Sequence, residues 1–109
     1  MKKSIGIIFG CCLLMACETN VEEETQPVVA ICDTTISFAQ QVQPIINTNC
    51  ISCHGGSQFP DLRTYEGVSN NAARVSGQVV SRRMPLGGSL TENEIETIRC
   101  WIESGALNN

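Results

Sequence analysis

The sequence is poor in several residue types at once. Of its 109 residues, 17% are charged and 5% aromatic, its lysines are Lys2 and Lys3, and its one histidine is His54. A formal charge of −4 and a pI near 4.8 leave no basic stripe to meet a phosphate backbone, which excludes nucleic acid as a partner. No apolar run reaches the roughly 18 residues that read as a membrane-spanning helix. A single imidazole excludes most acid–base schemes built on histidine. No phosphate-cradling glycine loop, no nucleophile beside a base and no pair of catalytic carboxylates appears. The length does not suffice for two domains, since each would fall below the size at which one core holds. Cysteine, in contrast, is plentiful: seven residues are too many for a reduced cytosolic domain of this size.

The N-terminal segment accounts for several of them. Lys2 and Lys3 precede an apolar stretch from Ile5 to Ala16, which suits the core of an export signal. It ends Leu14-Met15-Ala16-Cys17, which resembles the lipobox of bacterial lipoproteins, where cleavage follows a small residue and the cysteine is lipidated. The other reading is an ordinary secretory signal with a cysteine at its boundary. Loss of residues 1–16 removes both lysines, Cys11 and Cys12. Five arginines against eleven acids then give the mature chain a charge of −6. Cys17, Cys32, Cys50, Cys53 and Cys100 remain, with His54 and Met84 as the sole histidine and methionine. Glu18 to Ala30 reads ETNVEEETQPVVA, too polar to offset its ordering entropy by burial. Residues 17–30 are therefore expected to be a lipidated cysteine with a flexible acidic tether. Acids just after such a cysteine also resemble the surface-export signals of some Bacteroidetes lipoproteins. The expected location is outside the cytoplasm, lipid-anchored to a bacterial membrane on its periplasmic face or at the cell surface.

The folded domain is expected over 31–109, small enough to need a staple: a disulfide, a metal or a bulky cofactor. The pattern predicts an all-α domain of about three helices. The first lies between Phe38 and Asn49, with Ser37 as its cap and Pro44 either opening it at Ile45 or kinking it. A short second helix runs from Tyr65 to about Ala73. The third starts at Thr91, where Glu94 completes a capping box and Leu90 and Ile95 form a hydrophobic staple. Ile95, Ile98, Trp101 and Ile102 share one face, and Gly105 closes the helix. Residues 77–89, GQVVSRRMPLGGS, are expected to be irregular because Gly77, Pro85, Gly87 and Gly88 break helices. Phe38, Ile45 and Ile46 are expected in the core, with Trp101 packed there as well.

Cys50-Ile51-Ser52-Cys53-His54 is a C-x-x-C-H motif, the attachment signature of c-type haem. Two thiols three residues apart on one helical turn reach the two vinyl groups of a haem, and the histidine that follows meets the iron as proximal ligand. Zinc would require further ligands without a second knuckle spacing. A thioredoxin-like pair would require a βαβ context, and a plain disulfide would leave the adjacent histidine unexplained. The sixth ligand follows by elimination: with one histidine and no mature lysine, Met84 is the expected distal ligand, on a loop that Pro85 holds extended. The other reading of Met84 is a core filler, which leaves the iron open or water-bound.

QPIINTNCISCH (Gln43 to His54), RMPLGGSLTENEIETIRCWIESGA (Arg83 to Ala106) and the lead-in ICDTTISF resemble a class I mono-haem cytochrome c domain, of the type found in Bacteroidetes lipoproteins. The resemblance covers nearly all of 31–109. It implies a class I fold in which the first and last helices cross beside a covalent haem c, with Cys50 and Cys53 as attachment points and His54 and Met84 as iron ligands. One departure is the short span of 30 residues from His54 to Met84. With lipid and haem assigned, Cys32 and Cys100 are left to form a disulfide, the other reading being two buried thiols. Arg82, Arg83 and Tyr65 are candidate contacts of the haem propionates.

The expected function is a membrane-tethered electron carrier, not an enzyme, that passes single electrons to redox protein partners through a His/Met-ligated haem. An acidic mature chain implies partners with a basic docking patch. The alternative is a haem protein with a labile distal ligand, acting as a small-molecule sensor or enzyme.

Overall fold

A computed structural model describes residues 31–109 of the protein. The export signal expected over 1–16, the lipidated Cys17 and the tether to residue 30 lie outside the described residues. Helix is the only regular structure among the described residues, which agrees with the all-α reading, and none of these helices is long and apolar enough to cross a membrane.

The chain opens with a π-helical turn, Phe38–Val42, that runs into α1 (Gln43–Asn49) and, past a bend at Cys50, into α2 (Ile51–His54). Ser37 caps this run, accepting from the Gln40 N–H at 3.2 Å. Pro44 accounts for the wide first turn. Its ring would meet the carbonyl four residues back and it has no N–H to offer, and widening the turn relieves both. Pro44 thus stands in the first turn of α1, as a helix-opening proline does, with the π-helical turn continuing the run ahead of it.

Thr64 caps α3 (Tyr65–Asn70), accepting from Gly67 at 3.1 Å. After Asn71 the chain continues as α4 (Ala72–Val80). Gly77 to Val80 is thus helical, where an irregular stretch was expected. A glycine in a helix interior costs about 1 kcal/mol in propensity. Val75 and Val79, four residues apart and both buried, return more than that at roughly 1.5–3 kcal/mol per fully buried side chain.

The capping box opens α5 (Glu92–Glu103): Thr91 N–H donates to Glu94 Oε2 at 2.8 Å, and Glu94 N–H donates to Thr91 Oγ1 at 3.2 Å. Leu90 and Ile95 are both buried, as a staple requires. Gly105, with φ +107°, lets the helix end in a Schellman closure. There the Ala106 N–H returns to the Trp101 carbonyl at 2.9 Å and the Gly105 N–H to the Ile102 carbonyl at 3.1 Å.

The buried face of α5 packs against the π-helical turn on one side and α4 on the other. Trp101, 1% exposed, forms a triangle of rings with Phe38 and Tyr65, its centroid 5.2 and 6.3 Å from theirs and theirs 5.3 Å apart. Its indole N–H donates to the Leu107 carbonyl at 2.9 Å. Ile46 is buried as expected, and Ile45 and Ile102 are half-buried against the same core. Cys32 and Cys100 form a disulfide, with Cα atoms 5.0 Å apart. The segment after α5 returns to the first helical turn: the Asn109 side chain accepts from Phe38 N–H at 2.8 Å and donates to the Ile36 carbonyl at 3.1 Å.

Candidate functional site

Cys50, Cys53, His54 and Met84 line one cleft of about 240 Å³. The four residues expected around one cofactor therefore come together, although 30 residues separate His54 from Met84. Two stretches build the cleft. One is the α1–α2 bend with the loop after it, and the other is the face of α4 with the loop that carries Met84.

Cys50 sits at the bend, half-buried, and Cys53 is exposed one turn later; neither takes part in a disulfide. Burial pushes the Cys50 thiol pKa up and keeps the group protonated. Gly55 follows His54 because a Cβ there would lie 2.6 Å from the Ile51 carbonyl oxygen. The chain then folds back over the histidine and fixes it twice. Leu62 N–H donates to the His54 carbonyl at 2.9 Å, and His54 Nδ1 lies 3.0 Å from the Pro60 carbonyl oxygen. A carbonyl can only accept, so Nδ1 carries the proton and Nε2 keeps its lone pair for a ligand bond.

The remaining lining is largely apolar, including Leu62, Val75, Val79 and the exposed rim side chains Phe59 and Leu86. Among the described residues no carboxylate lines the cleft, and its one guanidinium is Arg74, 5.2 Å over the Phe59 ring. Arg74 has no place in the pattern read from the sequence, because it lies past the expected end of the second helix near Ala73, whereas α4 runs on to Val80. The signal that finds it is the spacing of Arg74 and Gln78 beside Val75 and Val79, one helical turn apart on adjoining positions.

The three candidate propionate contacts lie elsewhere in the described structure. Arg82 pairs with Glu92, Tyr65 donates its hydroxyl to the Ala106 carbonyl at 2.7 Å, and Arg83 does not line the cleft. Cys32, Glu96 and Cys100 bring three metal-ligand atoms within 4.8 Å of one another. That cluster is no second candidate centre, because its sulfurs are bonded to each other and Glu96 is bonded to Arg99. Glu103 also pairs with Arg99, at 2.6 Å.

Comparison with known proteins finds no match: no family model, no curated protein and no solved structure aligns with the chain.

Proposed function

We propose that the protein is a c-type cytochrome that carries single electrons, tethered to a membrane by a lipid on Cys17. The observation that carries this reading is the convergence of two thiols, one orientated imidazole and one thioether on a single apolar cleft. The donor set fits haem c. Cys50 and Cys53 would hold the macrocycle covalently, His54 would bind the iron through Nε2, and Met84 would supply a second iron ligand through its thioether. The apolar lining fits a flat aromatic ring system, which is better held among side chains such as Leu62, Val75 and Val79 than in water. A bound haem supplies one-electron chemistry, its iron passing between ferric and ferrous.

The protein's own residues do the rest. Pro60 holds the His54 tautomer and ring orientation, so the ligand needs little rearrangement when the charge on the iron changes. The Met84 thioether, as a ligand, would favour the ferrous state and keep small molecules off the metal. Glu92, Glu94, Glu96 and Glu103 give α5 an acidic surface, which suits partners with a basic docking patch. The Cys32–Cys100 bridge suits an oxidising compartment outside the cytoplasm.

The test is the visible spectrum of the chain exported from cells that have the c-type maturation system. The expected result is sharp reduced c-type bands and, in the oxidised protein, a weak long-wavelength iron–sulfur band. Haem bands without that feature would transfer the assignment to a ligand-binding haem protein. A colourless product would end the cytochrome reading.

A further inference from the structure

We propose that Arg82 is a positioning residue for Met84: its guanidinium clamps together the two ends of the loop that carries the methionine. The proposal rests on Met84 serving as an iron ligand, and it assigns that ligand's support to a residue outside the cleft.

Three observations carry it. Arg82 has φ +60°, in the left-handed region where side chains with a Cβ are strained and glycine is at ease. A strained non-glycine residue persists where its surroundings hold it. Here its side chain has two partners across the loop. Nη1 donates to the carbonyl of buried Leu90 at 3.4 Å, and Nη2 pairs with Glu92 in the first turn of α5. At the other end of the loop, the N–H groups of Arg83 and Met84 both donate to the Gln78 carbonyl, at 3.0 and 3.2 Å. Between these anchors the loop has little of its own: one long Gly88-to-Pro85 bond of 3.4 Å, and Gly87 at φ +70°. The guanidinium therefore bridges the end of α4 to the start of α5 and closes 83–89 into a ring with Met84 on it. Opening that ring spreads the thioether over more positions and lets an external ligand compete for its place. The Glu92 side chain is 88% exposed and that of Arg82 48%, so the effect is modest and screened by salt.

The experiment titrates the ferric full chain with imidazole, following loss of the long-wavelength iron–sulfur band, and measures hydrogen exchange of the amides of 83–89. Arg82→Gln removes the clamp from one side. Glu92→Gln weakens it from the other without touching the loop. Arg82→Gly relieves the backbone while removing the clamp, which separates strain from clamping. Both glutamine variants are expected to raise imidazole affinity about two- to five-fold at low salt, less at high salt, with faster exchange confined to the loop. Arg82→Lys, which keeps the charge and loses the fork, should recover part of the difference. Unchanged affinity and exchange in both glutamine variants would overturn the proposal. Met84→Ala separates it from the reading beneath it. If the unsubstituted protein lacks the band and matches Met84→Ala, methionine ligation fails, and exchange over 83–89 alone then decides the clamp: unchanged exchange in the glutamine variants overturns it as well.

Discussion

Cutting the Cys32–Cys100 bridge should remove much of the stability of this small domain. The bridge closes a loop with a sequence separation of 68 residues. In the chain-entropy model such a loop contributes about 4 kcal/mol by restricting the unfolded chain. A folded unit of 79 residues has roughly 4–12 kcal/mol in total at typical values per residue, so the loss is a large share of it. Cys32→Ala isolates the crosslink. Cys32 is only half-buried, and the Cys100 left behind, 2% exposed, still packs as a small apolar side chain. Denaturant unfolding can be followed by the fluorescence of Trp101, the sole tryptophan, buried against Phe38 and Tyr65. The expected result is a loss of about 3–4 kcal/mol, with a fall in Tm of roughly 15–30 °C. A thiol reductant should bring the unsubstituted protein to the same curve and leave Cys32→Ala unmoved. A loss under about 1 kcal/mol, with both thiols found free by mass spectrometry, would refute the bridge and the role given to it.

Three further outcomes are expected. Gly67→Ala would drive a Cβ into the backbone carbonyl of Asp61, next to the Pro60 carbonyl that holds His54. It should cost about 1–3 kcal/mol in thermal melts, and a neutral result would count against so close an approach of Gly67 to the Asp61 carbonyl. Arg63 beside Asp61 holds that carboxyl down to about 2. Its folded pKa is below the unfolded 3.8, so its contribution to stability is complete above about pH 4 and is lost as pH falls towards 2. A carbon-13 titration of the Asp61 carboxyl should show the low midpoint, and Arg63→Ala should raise it only part of the way towards 3.8, because the backbone N–H of residue 63 still donates to the carboxylate. Electron exchange with a basic redox protein should slow as ionic strength rises, because the acids of α5 and of residues 17–30 attract over distances that salt shortens. A rate independent of salt would remove the docking argument.

The features legible in the sequence are those whose partners lie within one turn of each other. Thr91 and Glu94 are three residues apart, and the capping box they announce is present. Ser37, the expected cap of the first helix, likewise accepts from the N–H three residues on, at Gln40, while its own N–H goes to the Gln41 side chain. Cys50 to His54 is contiguous, so its donors could be named without knowing the fold. The pairing of Cys32 with Cys100 was reached by counting, because an oxidising compartment leaves few uses for a remainder of two. The misreading of Gly77 to Val80 has a related cause. A glycine was weighed by its local propensity, while the burial of Val75 and Val79 against α5 decided the matter.

What joins the two halves of the site could not be read in the same way. Pro60 acts on His54 through a carbonyl, a group every residue has, so no side-chain pattern marks it. Arg82 reads in the sequence as a propionate contact, because Glu92, its partner in the fold, is ten residues away across a turn whose shape depends on φ at Arg82 itself. Donor atoms are chemical and show in the letters; their mutual placement is set by backbone turns and by the packing of α4 on α5. The strength of the second ligand should therefore respond to changes at residues that never touch the cleft. Glu92, on a helix that carries none of the candidate haem ligands, is therefore the sharpest position at which to test that coupling.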